Sequence, residues 1–436
     1  MRNFFKRNIV CTFIVFLLLL SLFFSLGIKN NLEDSLRLFE GQEYSYRVKF
    51  PLKLYIKADK TDILNINGDV INSNEFNHLH SQEGVSLRGL NKGNVCLEFS
   101  LFKGLIPIRQ LTVSVLPEIT LHPGGHSIGI KLHAEGALVV GYFYLEDEGK
   151  KFSPAEESGI LIGDTILAVN GIRIKDLDEA AAVIGRESQK GALKFLVKRK
   201  GENLEMQVVP RMCPDSQEYR IGLYIRDTAA GVGTLTFYEP ERDYYGALGH
   251  IVTDSDTRTV LDIDEGLIVR ADIVNIKMAQ RGQPGEKAGV FKEGRDILGT
   301  ISKNTDFGIY GQLKNIAACE TPYPNPIPLG LCFEVEPGPA EMLTVVEGNK
   351  IQSFCLEIEK VLNQNKPVDK GIIIRVVDEN LLTQTGGIVQ GMSGSPIIQN
   401  GRLVGAVTHV FVNDPSRGYG IFAEWMVKEM ELLPVS

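Results

Sequence analysis

Gly391-Met392-Ser393-Gly394-Ser395-Pro396 is the stretch on which the reading of this chain turns. Serine is a weak nucleophile at neutral pH. It needs a base within hydrogen-bond reach and amide donors aimed at the developing oxyanion. Glycines on both sides of Ser393 let the backbone turn sharply and bring N–H groups close to the reacting carbon. The N–H groups of Gly391 and Ser393 are the candidate oxyanion donors. Pro396 fixes the exit into an apolar strand, Ile397-Ile398.

The candidate base lies upstream. Two histidines fall in residues 213–436, His250 and His409. His409 sits inside the apolar run Leu403–Phe411 and reads as a structural strand residue. His250 follows Ala247-Leu248-Gly249 at a glycine turn, where functional side chains concentrate. An α/β-hydrolase runs serine, acid, histidine and carries Gly-x-Ser-x-Gly. Here the fifth position is Ser395, and the histidine precedes the serine. That order is chymotrypsin-like. Short strands punctuated by Gly and Pro fill this half, which predicts two packed β-barrels. For the acid, Asp254, Asp256, Asp262, Asp264, Asp272 and Asp378 are all available. Asp378 ends the apolar run Gly371–Val377, a position suited to orienting an imidazole.

Residues 153–171 read as a short helix, a glycine turn and a strand ending in Asn170-Gly171, the strongest tight-turn dipeptide. An amphipathic helix is predicted from Asp176 to Arg186, then strands at 193–198 and 204–209. The stretch 119–212 resembles a bacterial PDZ domain. That resemblance implies a groove between the strand after Gly129 and the helix from Asp176. The turn Ser127, Ile128, Gly129 and Ile130 would hold the carboxylate of a peptide or protein C-terminus, and the edge strand would accept a β-strand.

The chain has 436 residues and a net charge of -8. Nucleic acid is a poor partner for such a balance, because phosphate neutralisation needs clustered Lys and Arg. Residues 9–28 carry no charge and follow Arg2, Lys6 and Arg7. Twenty residues span roughly 30 Å of hydrocarbon, so they are expected to form an uncleaved anchor with Lys29 onward outside the cytoplasm. Residues 30–118 alternate in short strands and predict a small β-sandwich, a spacer or docking module. Five cysteines lie beyond the span, irregularly placed and without a CxxC, so free thiols are expected. No HExxH, no GxxxxGK and no other cofactor motif occurs; no cofactor or metal is expected.

Further residues carry a closer likeness. Thr385–Gln390 ahead of the serine string, Gly405–Pro415 after it, and Ala247-Leu248-Gly249-His250 resemble the stage IV sporulation protein B family of serine peptidases. The resemblance implies the catalytic set His250, Asp378 and Ser393, the acid lying fifteen residues before the serine. In trypsin-like chains the acid instead falls between the barrels, which favours Asp272 or its neighbours. Substrate backbone would pair near His409 to Asn413. The resemblance also implies a signalling role: a peptidase made in the forespore, anchored in its inner membrane and facing the intermembrane space, trims itself. It then cleaves a regulatory membrane protein to trigger sigma-K activation. Two other functions compete, a non-catalytic PDZ scaffold and a general envelope quality-control protease. The expected architecture is mostly β: anchor (1–29), β-rich domain (30–118), PDZ domain (119–212) and chymotrypsin-like double barrel (213–436).

Overall fold

The computed structural model describes residues 35–46, 54–70, 76–79, 85–147, 149–214, 216–260, 263–291, 296–314, 321–362, 364 and 367–430. The expected anchor at 9–28 lies outside them, as do Asp262, Cys11 and Cys319. Among the described residues no helix is long and apolar enough to cross a membrane. Cys96, Cys213, Cys332 and Cys355 are free thiols. The chain divides into two compact units, one ending at Ile119 and one running from Thr120 to Leu432.

The first unit contains a five-stranded and a four-stranded sheet. Alternating apolar residues, among them Leu36, Leu38, Ile56, Leu97 and Val113, are buried. Asn67-Gly68 makes a tight turn, with φ of 54° and 90°.

The second unit is built around two long strands, β1 (Ser127–Tyr142) and β5 (Leu223–Glu239), paired antiparallel. At one end they join a PDZ-type set: β2 (Thr165–Val169), α1 (Leu177–Ser188), β3 (Leu193–Arg199) and β4 (Glu202–Val208). Asp176 caps α1 by accepting the Glu179 N–H at 2.7 Å. Asn170 and Gly171 both take left-handed φ, 50° and 80°, as a two-residue hairpin demands. At the other end β1 and β5 join β6 (Tyr244–Ala247) and β7 (Ile263–Arg270), followed by β8 (Glu286–Val290). The apolar core here includes Ile128, Ile130, Leu132, Leu235, Tyr245 and Ile268.

The C-terminal half closes as expected. β9 (Gly338–Val345), β10 (Ile351–Val361), β11 (Ile372–Val376), β14 (Asp414–Phe422), β13 (Arg402–Phe411) and β12 (Pro396–Gln399) form a six-stranded barrel in that order. A short helix, α2 (Glu379–Thr385), was not foreseen. The second expected barrel is formed in part: β1, β5, β6, Gly308–Gln312, Ile297–Thr300 and β7 surround its core, but a single bridge, Gly299 to Leu313, joins the last seam, so the N-terminal lobe is a half-barrel.

The expected PDZ ligand turn is also corrected. Ser127, Ile128, Gly129 and Ile130 lie inside β1, paired on one edge with Thr234 to Gly231 and, from Ile128 on, on the other with Arg270 to Ile268. Neighbouring strands take both edges there, and Ser127 and Ile128 are buried. The amides of Ile128, Gly129 and Ile130 are thereby taken up in strand pairing and do not form a carboxylate-binding turn. The groove does lie against α1, but the facing strand is the start of β5. Leu177, Ala181, Ile184 and Gly185 face Ile221 to Ile225 across a cavity of about 940 Å³. The module is permuted: the strand that completes it follows the segment that resembles a PDZ domain.

Candidate active site

Ser393 is presented by a turn held from two sides. The Thr234 N–H of β5 donates to the Ser393 carbonyl at 2.9 Å. The Thr234 hydroxyl donates to the Gly391 carbonyl at 2.7 Å. Gly394 donates to the Val407 carbonyl at 2.7 Å. The glycines are forced. Gly394 has φ of 92°, and a Cβ there would meet the Thr234 carbonyl oxygen at 2.1 Å. Gly391 has φ of 94° and rests on the stem of Lys287, 3.1 Å from a would-be Cβ. Met392, Gly394 and Ser395 donate to backbone carbonyls within or beside the turn, whereas the N–H groups of Gly391 and Ser393 have no acceptor among the described residues. These two amides are therefore available to an incoming oxyanion.

His250 follows two consecutive left-handed residues, Leu248 and Gly249, each with φ of 71°. A non-glycine residue in that region stores strain, and such strain concentrates at functional sites. The result places His250 in the cleft that Ser393, Gly391, Thr408 and His409 also line. His250 Nδ1 lies 2.9 Å from the Ile251 carbonyl oxygen. A carbonyl can only accept, so Nδ1 carries the proton and Nε2 is left as the base. In the resting arrangement the Ser393 hydroxyl donates to the Thr408 carbonyl at 2.9 Å. Attack thus requires a turn about χ1 that moves the hydroxyl from Thr408 towards the imidazole.

The candidate acids fare differently. Asp378 is corrected: its carboxylate caps α2, accepting the Leu381 N–H at 3.0 Å and the Cys355 N–H at 3.2 Å. It makes no hydrogen bond to His250 and does not line the cleft. The same strand-end position that suggested an orienting role suits a helix N-cap. Asp254 lines the cleft, but Arg226, Thr257 and the Asp256 amide hold it. Burial alone would raise its pKa; those hydrogen bonds outweigh burial and keep it below the usual carboxylate range. Asp256 pairs with Arg226, and Asp272 is exposed on another strand. The carboxylate whose charge reaches both cleft imidazoles is Asp369.

His409 was misread as structural. A bulge in the pairing of β13 with β14, between Val407 and His409, turns its side chain out into the cleft. Its ring centroid lies 5.3 Å from that of His250, tilted by 43°. Nothing in the strand's apolar pattern signals a bulge. Burial lowers the His409 pKa, and the nearby charges of His250 and Lys370 lower it further.

Lys287 is a second residue that sequence reasoning passed over. It is 1% exposed, on β8 directly beneath the nucleophile turn. Its backbone N–H donates to Gln390, and its ammonium nitrogen sits 2.7 Å from the Thr344 hydroxyl. Burial lowers its pKa from the ordinary 10.5 to about 7.

Two outcomes are expected. Burial lowers the His250 pKa below 6.5, the Ile251 hydrogen bond and Asp369 opposing. A base must be neutral to act, so kcat/KM should rise with pH through a midpoint below 6.5; a midpoint at or above that value contradicts the geometry. For Lys287, the unfolded chain holds a proton that the folded chain sheds between about pH 7 and 10.5, so native stability rises with pH across that window. Lys287→Met should raise the urea midpoint most at and below pH 7, and the gain should fade towards pH 10.5. A pH-independent offset would show that the amine is not buried neutral.

Comparison with known proteins follows the same division. Residues 217–427 match the family SpoIVB peptidase S55, and residues 128–209 match the PDZ domain family. A 60-residue segment is 42% identical to the putative zinc metalloprotease Cj1068 of Campylobacter jejuni subsp. jejuni serotype O:2, covering 14% of this chain. The chain spans only 15% of the length of that curated relative. Among solved structures, the active form of the Rv3671c protease from M. tuberculosis is 14% identical with a TM-score of 0.25, covering 48% of this chain and 76% of that one. The HtrA-type protease AlgW with decapeptide is 15% identical with a TM-score of 0.26, covering 48% of this chain and 53% of that one. On these matches residues 217–427 form a serine peptidase domain of the SpoIVB peptidase S55 family, with a PDZ domain set ahead of it.

Proposed function

We propose that this protein is a membrane-anchored, extracytoplasmic serine endopeptidase of sporulation signalling. The observation that carries the catalytic part is the pair of unpartnered amides, Gly391 and Ser393, beside a serine that shares its cleft with His250. A peptide carbonyl seated against these amides places its carbon next to the Ser393 hydroxyl. Ser393 attacks as its proton passes to His250 Nε2, and the carbonyl oxygen takes the negative charge at the two donors. His250 then gives the proton to the leaving amine. Water, deprotonated by the same imidazole, releases the acyl group. The Ile251 carbonyl holds the reactive tautomer, the task a carboxylate performs in many such sets.

The cellular role rests on family membership and on the uncharged run at 9–28. In this reading the chain is anchored in the inner forespore membrane and its bulk faces the intermembrane space. It cleaves itself, then a regulatory membrane protein whose cleavage triggers sigma-K activation. The PDZ groove receives a peptide or protein C-terminus.

A time course of purified protein, with N-terminal sequencing of fragments, tests the enzyme. Ser393→Ala should abolish self-cleavage and target cleavage, a loss on the order of a thousandfold or more. Fragments that persist in Ser393→Ala would point to a scaffold cut by other proteases. A deletion strain should fail in spore formation alone. Growth or envelope-stress defects outside sporulation would favour a quality-control protease.

A further inference from the structure

The PDZ groove and the catalytic cleft share a strand. Both are lined by β5, at Leu223 to Ile225 in the groove and at Arg226 and Thr228 to Val232 in the cleft. Over these residues β5 pairs with β1 along one edge only. What the other edge presents follows from the alternation of a β-strand, in which the N–H and C=O of every second residue point the same way.

Thr234 turns its N–H to Ser393 and its carbonyl to the Leu248 N–H, away from β1. The register with β1 is unbroken from Thr234 to Thr228. Val232, Ala230 and Thr228 therefore direct their backbone groups the same way, into the cleft, and no backbone partner among the described residues takes them. In the groove, the Phe143 N–H donates to the Gly222 carbonyl. Leu223 and Ile225 accordingly face away from β1, towards α1. The alternation changes phase once, between Ile225 and Thr228, and the open edge stays on the side opposite β1. Asp227 sits at the junction, where its carboxylate accepts the Leu177 N–H and ties the start of α1 to β5.

The groove end also has a polarity. Gly222 takes φ of 77° as the chain enters β5, so the strand begins at a tight turn. A strand added antiparallel to β5 ends at that turn and has its earlier residues beside Ile225, Ala230 and Val232. The exposed apolar side chains Leu177, Met212, Tyr219 and Tyr224 surround the terminal part of such a strand. Its other end reaches Thr234, whose hydrogen bonds mark the position of Ser393 along β5.

Resting on the peptidase reading above, we infer that β5 is a ruler: the enzyme takes extended polypeptide ends, seats the free C-terminus at Gly222-Leu223, and cleaves at a set distance upstream. At roughly 3.3 Å per residue, Leu223 to Thr234 covers about 35 Å. The peptide bond cut at Ser393 then lies about ten residues before the C-terminus of the bound chain. The substrate class is a flexible C-terminal tail with apolar residues near its end. The same edge supplies the strand pairing that holds the residues following the cut.

The test uses the purified full-length chain and a synthetic, unstructured peptide of about thirty residues, as the free acid and as the C-terminal amide. Fragments are mapped by mass spectrometry, with casein digestion followed in parallel. The free acid should be cut about ten residues from its end, and inserting three residues near the end should move the cut by three. Amidation should lower kcat/KM by about tenfold or more. Gly185→Leu, whose added Cβ meets nothing within 4 Å, fills the groove and should make acid and amide equivalent. Ala230→Pro removes an N–H that has no partner among the described residues and should slow cleavage of the free acid at unchanged Tm. Cuts that stay with the sequence rather than the end, or that ignore amidation, overturn the ruler alone. If neither peptide nor casein is cut in a Ser393-dependent way, the peptidase reading falls and the ruler falls with it.

Discussion

Thr234 holds the active centre together. One residue on β5 donates twice, its amide to the Ser393 carbonyl and its hydroxyl to the Gly391 carbonyl. Those two bonds tie the nucleophile turn of the closed barrel to the N-terminal lobe that delivers His250. The amides of Gly391 and Ser393 share peptide planes with the carbonyls of Gln390 and Met392, and the Lys287 and Ser395 N–H groups that donate to those carbonyls aim the two amides the other way. Hydrogen bonds of this kind contribute only about 1 kcal/mol each to stability. Their greater effect is geometric, because a displacement of about 1 Å at a reacting centre can cost on the order of a hundredfold in rate. Gly394 is the counterpart on the turn, since any side chain there would strike the Thr234 carbonyl.

The same strand explains why the PDZ segment is not a separate bead. β1 and β5 run through both the groove and the peptidase lobe. A hydrogen-bonded strand transmits displacement along its axis more stiffly than a linker does. Ligand at the groove and substrate at Ser393 therefore act on one element, which places recognition and catalysis in a common frame.

Much of this was legible in the sequence where a local rule is strict. Asn170-Gly171 required a two-residue hairpin, Asp176 read as a helix start, and the glycines around Ser393 required a turn. Chain order set His250 ahead of Ser393, and both side chains line one cleft. What failed were features set by tertiary partners. The Ser127–Ile130 segment looks like a glycine turn leading to an open edge, yet two later strands occupy it. Asp378 at a strand mouth serves an N-cap just as well as an imidazole, and only the following short helix decides. His409 owes its exposure to a bulge that leaves no mark in an apolar run. Lys287 reads as an exposed strand residue until the barrel closes over it.

The most direct measurement is a crystal structure of the chain with a peptidyl phosphonate bound to Ser393. The account predicts a bond from phosphorus to the Ser393 oxygen and a phosphonyl oxygen about 3 Å from the N–H groups of both Gly391 and Ser393. It also predicts His250 Nε2 within hydrogen-bond reach of the serine oxygen. A Ser393 hydroxyl that stays on the Thr408 carbonyl and never reacts, or an adduct whose oxygen points away from those amides, would contradict it.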